Sequence, residues 1–144
     1  VLLLYKARSR ANYGKMSTGV AFCDHWSGPC RKIGGAIEGI PGGCEDAGIY
    51  QSPTSGVFRI VLHCGCSYLT VYSDDGINWM VTKAGPIPFC EVVWNDGTNG
   101  TLSTRQRPKW LRAKNGTVLA LLTGAASKGM HGSDTFTMAQ EVLP

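Results

Sequence analysis

Gly56-Val57-Phe58-Arg59-Ile60-Val61-Leu62-His63 is a short apolar run that opens on a glycine and ends on a histidine. Its length is that of a strand, well short of an amphipathic helix. It follows a turn and an extended segment, and Gly116-Thr117-Val118-Leu119-Ala120-Leu121-Leu122 repeats the arrangement 60 residues later. Val1-Leu2-Leu3-Leu4-Tyr5 resembles the end of a third copy. Around these runs no window holds a 3.6-residue apolar period, which excludes amphipathic helices and makes the chain all-β. Nineteen glycines and seven prolines in 144 residues supply a turn roughly every eight to ten residues, the spacing of short strands.

Further strands are expected at Val1–Ala7, Thr18–Phe22, Gly48–Gln51, Val57–His63, Tyr68–Ser73, Trp79–Thr82, Glu91–Trp94, Pro108–Arg112, Thr117–Leu122 and Phe136–Val142. The breaks between them are Gly34-Gly35, Pro41-Gly42-Gly43, Asp75-Gly76, Asp96-Gly97 and Asn115-Gly116, all with turn chemistry. In Ser73-Asp74-Asp75-Gly76-Ile77-Asn78-Trp79 the Asp-Gly pair turns the chain and the tryptophan returns to pack on the sheet. Nothing divides the chain with a linker. Repeated strand units of this kind suggest four-stranded antiparallel blades of a β-propeller. At about 45 residues per blade, residues 1–144 supply about three blades, a single partial domain. Three blades do not close a ring, and the opening Val1–Tyr5 reads as a strand, not a signal-peptide core. The chain is therefore expected to be the C-terminal part of a longer protein.

Hydrophobic residues make up 43% and charged ones 17% of the chain, so it folds rather than staying disordered. The net charge of +4 is mild, and the densest basic group, Arg105, Arg107, Lys109, Arg112 and Lys114, is as well explained by a solvated strand face. No nucleic-acid partner is expected. No apolar run approaches the length of about 20 residues that spans a membrane as a helix. Six cysteines (Cys23, Cys30, Cys44, Cys64, Cys66, Cys90) and two sequons, at Asn99 and Asn115, together indicate a secreted, disulfide-bonded glycoprotein. Cys64-Gly65-Cys66 has no second ligand pair at finger spacing, so no zinc finger is expected. Cys23 and Cys30 flank one short connection and form the favoured local pair; the other pairings stay open. Serine-protease triads, P-loops and dinucleotide fingerprints are absent.

Several segments, in order, resemble the five-bladed propellers of glycoside hydrolase family 43 and its levansucrase and invertase relatives (the family 43/32/68 superfamily). They are Leu3–Arg8, Gly19-Val20-Ala21, Trp26-Ser27-Gly28-Pro29, Glu45–Tyr50, Gly56–His63, Tyr72–Trp79, Trp94–Thr98 and Arg105-Gln106-Arg107-Pro108. The resemblance covers nearly the whole chain. It implies a five-bladed toroid and a glycosidase that uses carboxyl groups on both sides of the scissile bond. Glu45-Asp46-Ala47 resembles the family's acidic entry to an inner strand, with Ala47 in place of proline, and casts Asp46 as the auxiliary aspartate. Arg105-Gln106-Arg107-Pro108 resembles the segment whose glutamate is the general acid; this chain has Gln106 there. An amide accepts and donates hydrogen bonds but delivers no proton at neutral pH. The early base is expected upstream of Val1, and Asp24 is expected to be structural.

Around this pair, Glu45, His63, Arg105 and Arg107 are the candidate substrate-binding residues. His63 equally suits a rim or core histidine, and the two arginines equally suit pairing with acids. Glu45 and Glu91 are stand-ins for the missing acid. Trp26, Trp94 and Trp110 are expected to pack rather than stack on sugars, and His25 and His131 carry no partner motif. No cofactor and no metal ligand set is expected; the resemblance allows a structural calcium ion in the central channel. The expected activity is hydrolysis of O-glycosidic bonds weakened by Gln106, with an oligo- or polysaccharide as partner. The alternative is a non-catalytic glycan-binding or structural matrix protein that meets other chains of an extracellular assembly.

Overall fold

In the computed structural model, residues 1–8, 14, 16–128 and 134–142 are described. These residues are all-β and hold thirteen strands in four antiparallel sheets. The first sheet orders β1 (Leu2–Arg8), β2 (Met16–Cys23) and β3 (Cys30–Ala36). The second runs β4 (Glu45–Gln51), β5 (Phe58–Cys64), β6 (Ser67–Ser73), β7 (Met80–Val81), with β8 (Ile87–Pro88) also on β6. A hairpin of β9 (Glu91–Val93) and β10 (Asn99–Thr101) precedes the last sheet, β11 (Thr104–Arg112), β12 (Val118–Ala126) and β13 (Thr135–Glu141). Unlike the expected blades, none of the four sheets has the plain four-stranded form.

The apolar run that opens the sequence reading lies at the centre because it is covered on both faces. Ile60 and Leu62 pack with Val20, Ile37, Leu69 and Val71 on one side of β5, toward the first sheet. Val61, pointing the other way as strand alternation requires, packs with Phe89 and Leu121 toward the last sheet. All three side chains are fully buried. A strand sandwiched in this way reads as continuously apolar rather than alternating.

One turn binds the first two sheets together. Asp75 accepts hydrogen bonds from the backbone N–H groups of Ile77 and Asn78 (2.8 Å each) and from the Asn78 side-chain amide (2.7 Å). The Trp79 indole N–H donates to the Gly76 carbonyl (3.1 Å), and the ring joins the core. Gly76, at φ 74°, lies beside Leu2 and Phe22, since a Cβ added there would stand 3.4 Å from each, so this turn docks the second sheet on the first.

Three strands are additions to the expected set: β3, β8 and β10. Gly34-Gly35, read as a turn, lies inside β3 at an irregularity in its pairing with β2, where Gly19 faces Ala36 and Val20 faces Ile33. β11 starts four residues before the expected Pro108. Its register shifts between Gln106 and Lys109, and the bulge takes up the proline that cannot donate to a ladder. All six cysteines are paired: Cys23–Cys30, as the spacing favoured, with Cys44–Cys64 and Cys66–Cys90. Three disulfides fit an oxidising compartment. Among the described residues no helix is long and apolar enough to cross a membrane.

Candidate functional site

β4 and β11 share an irregularity. In β4 the register against β5 shifts between Glu45 and Gly48, and Asp46 sits at φ 56°. In β11 the register against β12 shifts between Gln106 and Lys109, and Arg107 sits at φ 54°. Left-handed backbone is costly for residues with a Cβ, by about 1–2 kcal/mol, and such strain gathers at functional positions. Among the described residues these are the two non-glycine residues with positive φ. The strands touch: a Cβ on Gly48 would lie 2.6 Å from the Pro108 carbonyl oxygen, and the Lys109 ammonium donates to the Ala47 carbonyl (2.8 Å).

β1 completes the site from the first sheet. A cleft of about 330 Å³ is lined by Tyr5, Lys6, Thr18, Asp46, Arg107 and Lys109, among others. The Lys6 ammonium lies 2.8 Å from Asp46 Oδ1 and 3.1 Å from Glu45 Oε2. Asp46 and then Glu45 therefore hold this ammonium above its ordinary pKa. Arg107 Nε stands 4.0 Å from Asp46 Oδ2 in a long ion pair, with its side chain 77% exposed. The Thr18 hydroxyl is buried without a hydrogen-bond partner.

His63 faces Glu45 across the β4–β5 ladder. A ring nitrogen of His63 and carboxylate oxygens of Glu45 and Asp46 all lie within 4.8 Å of one another. The imidazole is 9% exposed, and its Nδ1 is buried without a partner. The disulfide from Cys44 to Cys64 clamps this pair, joining the residue before Glu45 to the residue after His63.

Of the residues singled out in the sequence, Glu45, Asp46, His63 and Arg107 thus come together, and Gln106 and Arg105 stand apart. The Gln106 side-chain amide donates to Thr104 Oγ1 (2.9 Å), and the residue is not part of the cleft lining. Arg105 is 2% exposed and faces a different cavity of about 800 Å³ beside β13, whose walls include Glu91, Trp94, Phe136 and Glu141. Its guanidinium donates to Thr123 Oγ1 (3.0 Å), the Phe89 carbonyl (3.2 Å) and Gln140 Oε1 (2.9 Å), and it lies 4.1 Å from the Phe89 ring centroid. Burial lowers its pKa.

Glu91, proposed as a stand-in acid, belongs to that second cavity and not to the cleft. Trp110 packs edge-on to Tyr50 beside the Val61 cluster, Trp94 is paired with Phe136, and Trp26 is 79% exposed next to His25. His25 Nδ1 contacts the Ser27 hydroxyl (2.8 Å), and His131 lies outside the described residues. Asp24, Asn99 and Asn115 are exposed, with Asn115 Oδ1 accepting from the Thr117 backbone (3.1 Å). Lys6, inside the Leu3–Arg8 segment, and Lys109, one of the basic group, carry no signal that marks them as site residues. The clamp around Glu45 and His63 had one: a cysteine immediately precedes the first and immediately follows the second.

No family model, no curated protein and no solved structure matches this chain.

Proposed function

We propose that the chain binds saccharide in the cleft between β1, β4 and β11, on blades of a secreted propeller related to family 43 glycosidases, and that it does so without efficient hydrolysis. The observation that carries this reading is the pair of matched bulges, which put Asp46 and Arg107 over one cleft. A carboxylate and a planar guanidinium are the groups that fix sugar hydroxyls and acidic substituents. Lys6, Arg107 and Lys109 give the lining three cationic side chains against the one carboxylate of Asp46. That balance favours an acidic saccharide, carboxylated or sulfated. Hydrolysis requires a second, protonated carboxyl across the bond, whereas Gln106 is an amide turned to Thr104.

The test is calorimetric titration with oligosaccharides of defined charge, comparing a uronic-acid oligomer with its neutral counterpart. The acidic oligomer should bind, and Arg107→Ala should weaken it about tenfold or more, in line with loss of a charge-assisted contact. Gln106→Glu should leave cleavage at the background rate, because the side chain stands off the cleft. Equal binding of both oligomers, or none, would refute the acidic-saccharide reading. A gain of hydrolysis in Gln106→Glu would refute the placement of the acid outside the site.

A further inference from the structure

We infer that Glu45, Asp46 and His63 form a binding site for one first-row divalent metal ion of imidazole affinity, now held in a closed-off state by the Lys6 ammonium.

A regular strand sends neighbouring side chains to opposite faces. At Glu45-Asp46 the bulge and the left-handed Asp46 undo that alternation, because both carboxylates reach the same Lys6 ammonium. Two like charges are thus gathered on the face that also carries His63. The backbone strain and the mutual repulsion both work against this arrangement unless a cation sits there, a place that the Lys6 ammonium fills here. The sister bulge in β11 shows what the same backbone does without such a site. Gln106 and Arg107 occupy the positions of Glu45 and Asp46, and Gly124 faces Gln106 as His63 faces Glu45. That set holds no metal ligand.

The imidazole supplies the independent sign. A buried polar atom without a partner is costly, by about 1–3 kcal/mol, and His63 Nδ1 has none in a ring that is nine-tenths buried. One imidazole nitrogen and two carboxylate oxygens form a mixed N/O set, which suits zinc and its neighbours better than calcium or magnesium, whose preference is oxygen alone. In a tetrahedral site with bonds of about 2.0–2.1 Å, donors stand about 3.4 Å apart. The three donors, within 4.8 Å of one another, need to close by up to about 1.4 Å, a movement within reach of Glu45 and Asp46 side-chain rotation. The Cys44–Cys64 bridge fixes the strand positions beneath them. Lys6 is 42% exposed and on an edge strand, so it can swing out and leave the carboxylates to the ion.

Zinc is titrated calorimetrically into the full, oxidised chain in the absence of saccharide. All cysteines are bridged, so thiolates do not compete. One ion should bind per chain. His63→Gln and Glu45→Gln should each weaken it by at least about tenfold, the loss expected for one ligand. Lys6→Met should tighten it about threefold to tenfold, because the two carboxylates no longer hold an ammonium. His25→Gln should leave it unchanged. The inference is overturned if zinc binding is unaffected by both His63→Gln and Glu45→Gln, if Lys6→Met fails to tighten it, or if calcium binds in preference. Glu45 is partly exposed, so its variant keeps the test open should His63→Gln misfold. Saccharide binding shares Asp46 and Lys6 with this site but is read through Arg107, which is none of the three donors, so the two outcomes are distinguishable.

Discussion

Gly48→Ala tests whether β4 and β11 are held together at the point that builds the cleft. Gly48 is buried, and its φ is not in the left-handed region, so the added methyl has no backbone conflict of its own. The conflict is steric. An ideal Cβ would lie 2.6 Å from the Pro108 carbonyl oxygen and 3.4 Å from Lys109 Cα, all backbone atoms that cannot rotate away. Restoring an ordinary carbon–oxygen contact of about 3.2–3.4 Å requires the strands to part by roughly 0.6–0.8 Å. Overpacking of this kind costs about 1–3 kcal/mol. For a chain of this size that lowers the thermal midpoint by roughly 3–10 °C. Gly124→Ala is the control, because its Cβ would meet nothing closer than the Gln106 carbonyl at 4.0 Å. That variant should be neutral or gain a few tenths of a kcal/mol, since alanine loses less chain entropy on folding. Differential scanning calorimetry on both variants reads the difference. If Gly48→Ala melts within about 1 °C of the parent chain, β4 and β11 do not press on each other and the cleft geometry built on that contact is wrong.

Two further outcomes follow from the fold. The Asp75 carboxyl is held well below the ordinary value of 3.8, first by the Asn78 and Ile77 backbone N–H groups and then by the Asn78 amide. Stability from a depressed carboxyl is present above its unfolded pKa and lost as pH falls toward the folded one. Between pH 5 and pH 2 the thermal midpoint of the parent chain should therefore fall more steeply than that of Asp75→Ala; parallel curves would show that the turn contributes nothing. Paired alanine variants of Cys44/Cys64 and Cys66/Cys90, which close loops of 20 and 24 residues, should lose about 3–3.5 kcal/mol in urea unfolding. The pair Cys23/Cys30, separated by 7, should lose about 2.5 kcal/mol, and an inverted order would mean that strain, not loop closure, decides.

The parts of the fold that the sequence reveals are those whose side chains carry the signal. β5 is legible because burial on both faces makes Ile60–Leu62 apolar throughout, and the Asp75-Gly76 turn because its chemistry is local. β3 is hidden for the opposite reason. Cys30-Arg31-Lys32-Ile33-Gly34-Gly35-Ala36 is an edge strand whose membership rests on main-chain pairing to β2, with little apolar patterning to betray it. β10 is only Asn99-Gly100-Thr101, readable as a sequon and equally as a turn; what makes it a strand is the partner β9. The start of β11 was obscured by Pro108, a residue that normally argues against a strand interior. It is accommodated because the bulge leaves its missing N–H without a ladder partner to disappoint.

The site divides along the same line between chemistry and backbone. Glu45, Asp46 and Arg107 can be picked out as charged residues in telling company, but nothing in their letters shows that Asp46 and Arg107 occupy the same structural position. An acid and a base do not align by similarity. What recurs is a left-handed residue in a two-residue bulge, followed by Ala47 in one strand and Pro108 in the other. That equivalence also separates Arg105 from Arg107, which sequence proximity had joined. Arg105 precedes the bulge and keeps a strand's inward direction, so its guanidinium is spent on Thr123, Phe89 and Gln140. Arg107 lies within the bulge and is turned out to the cleft. The four-residue stretch Arg105-Gln106-Arg107-Pro108 is therefore not one functional unit. Its first arginine ties β12 and β13 to Phe89, its glutamine caps a neighbouring threonine, and only its second arginine faces the cleft. A substitution at Arg105 is accordingly a stability experiment, and one at Arg107 a binding experiment.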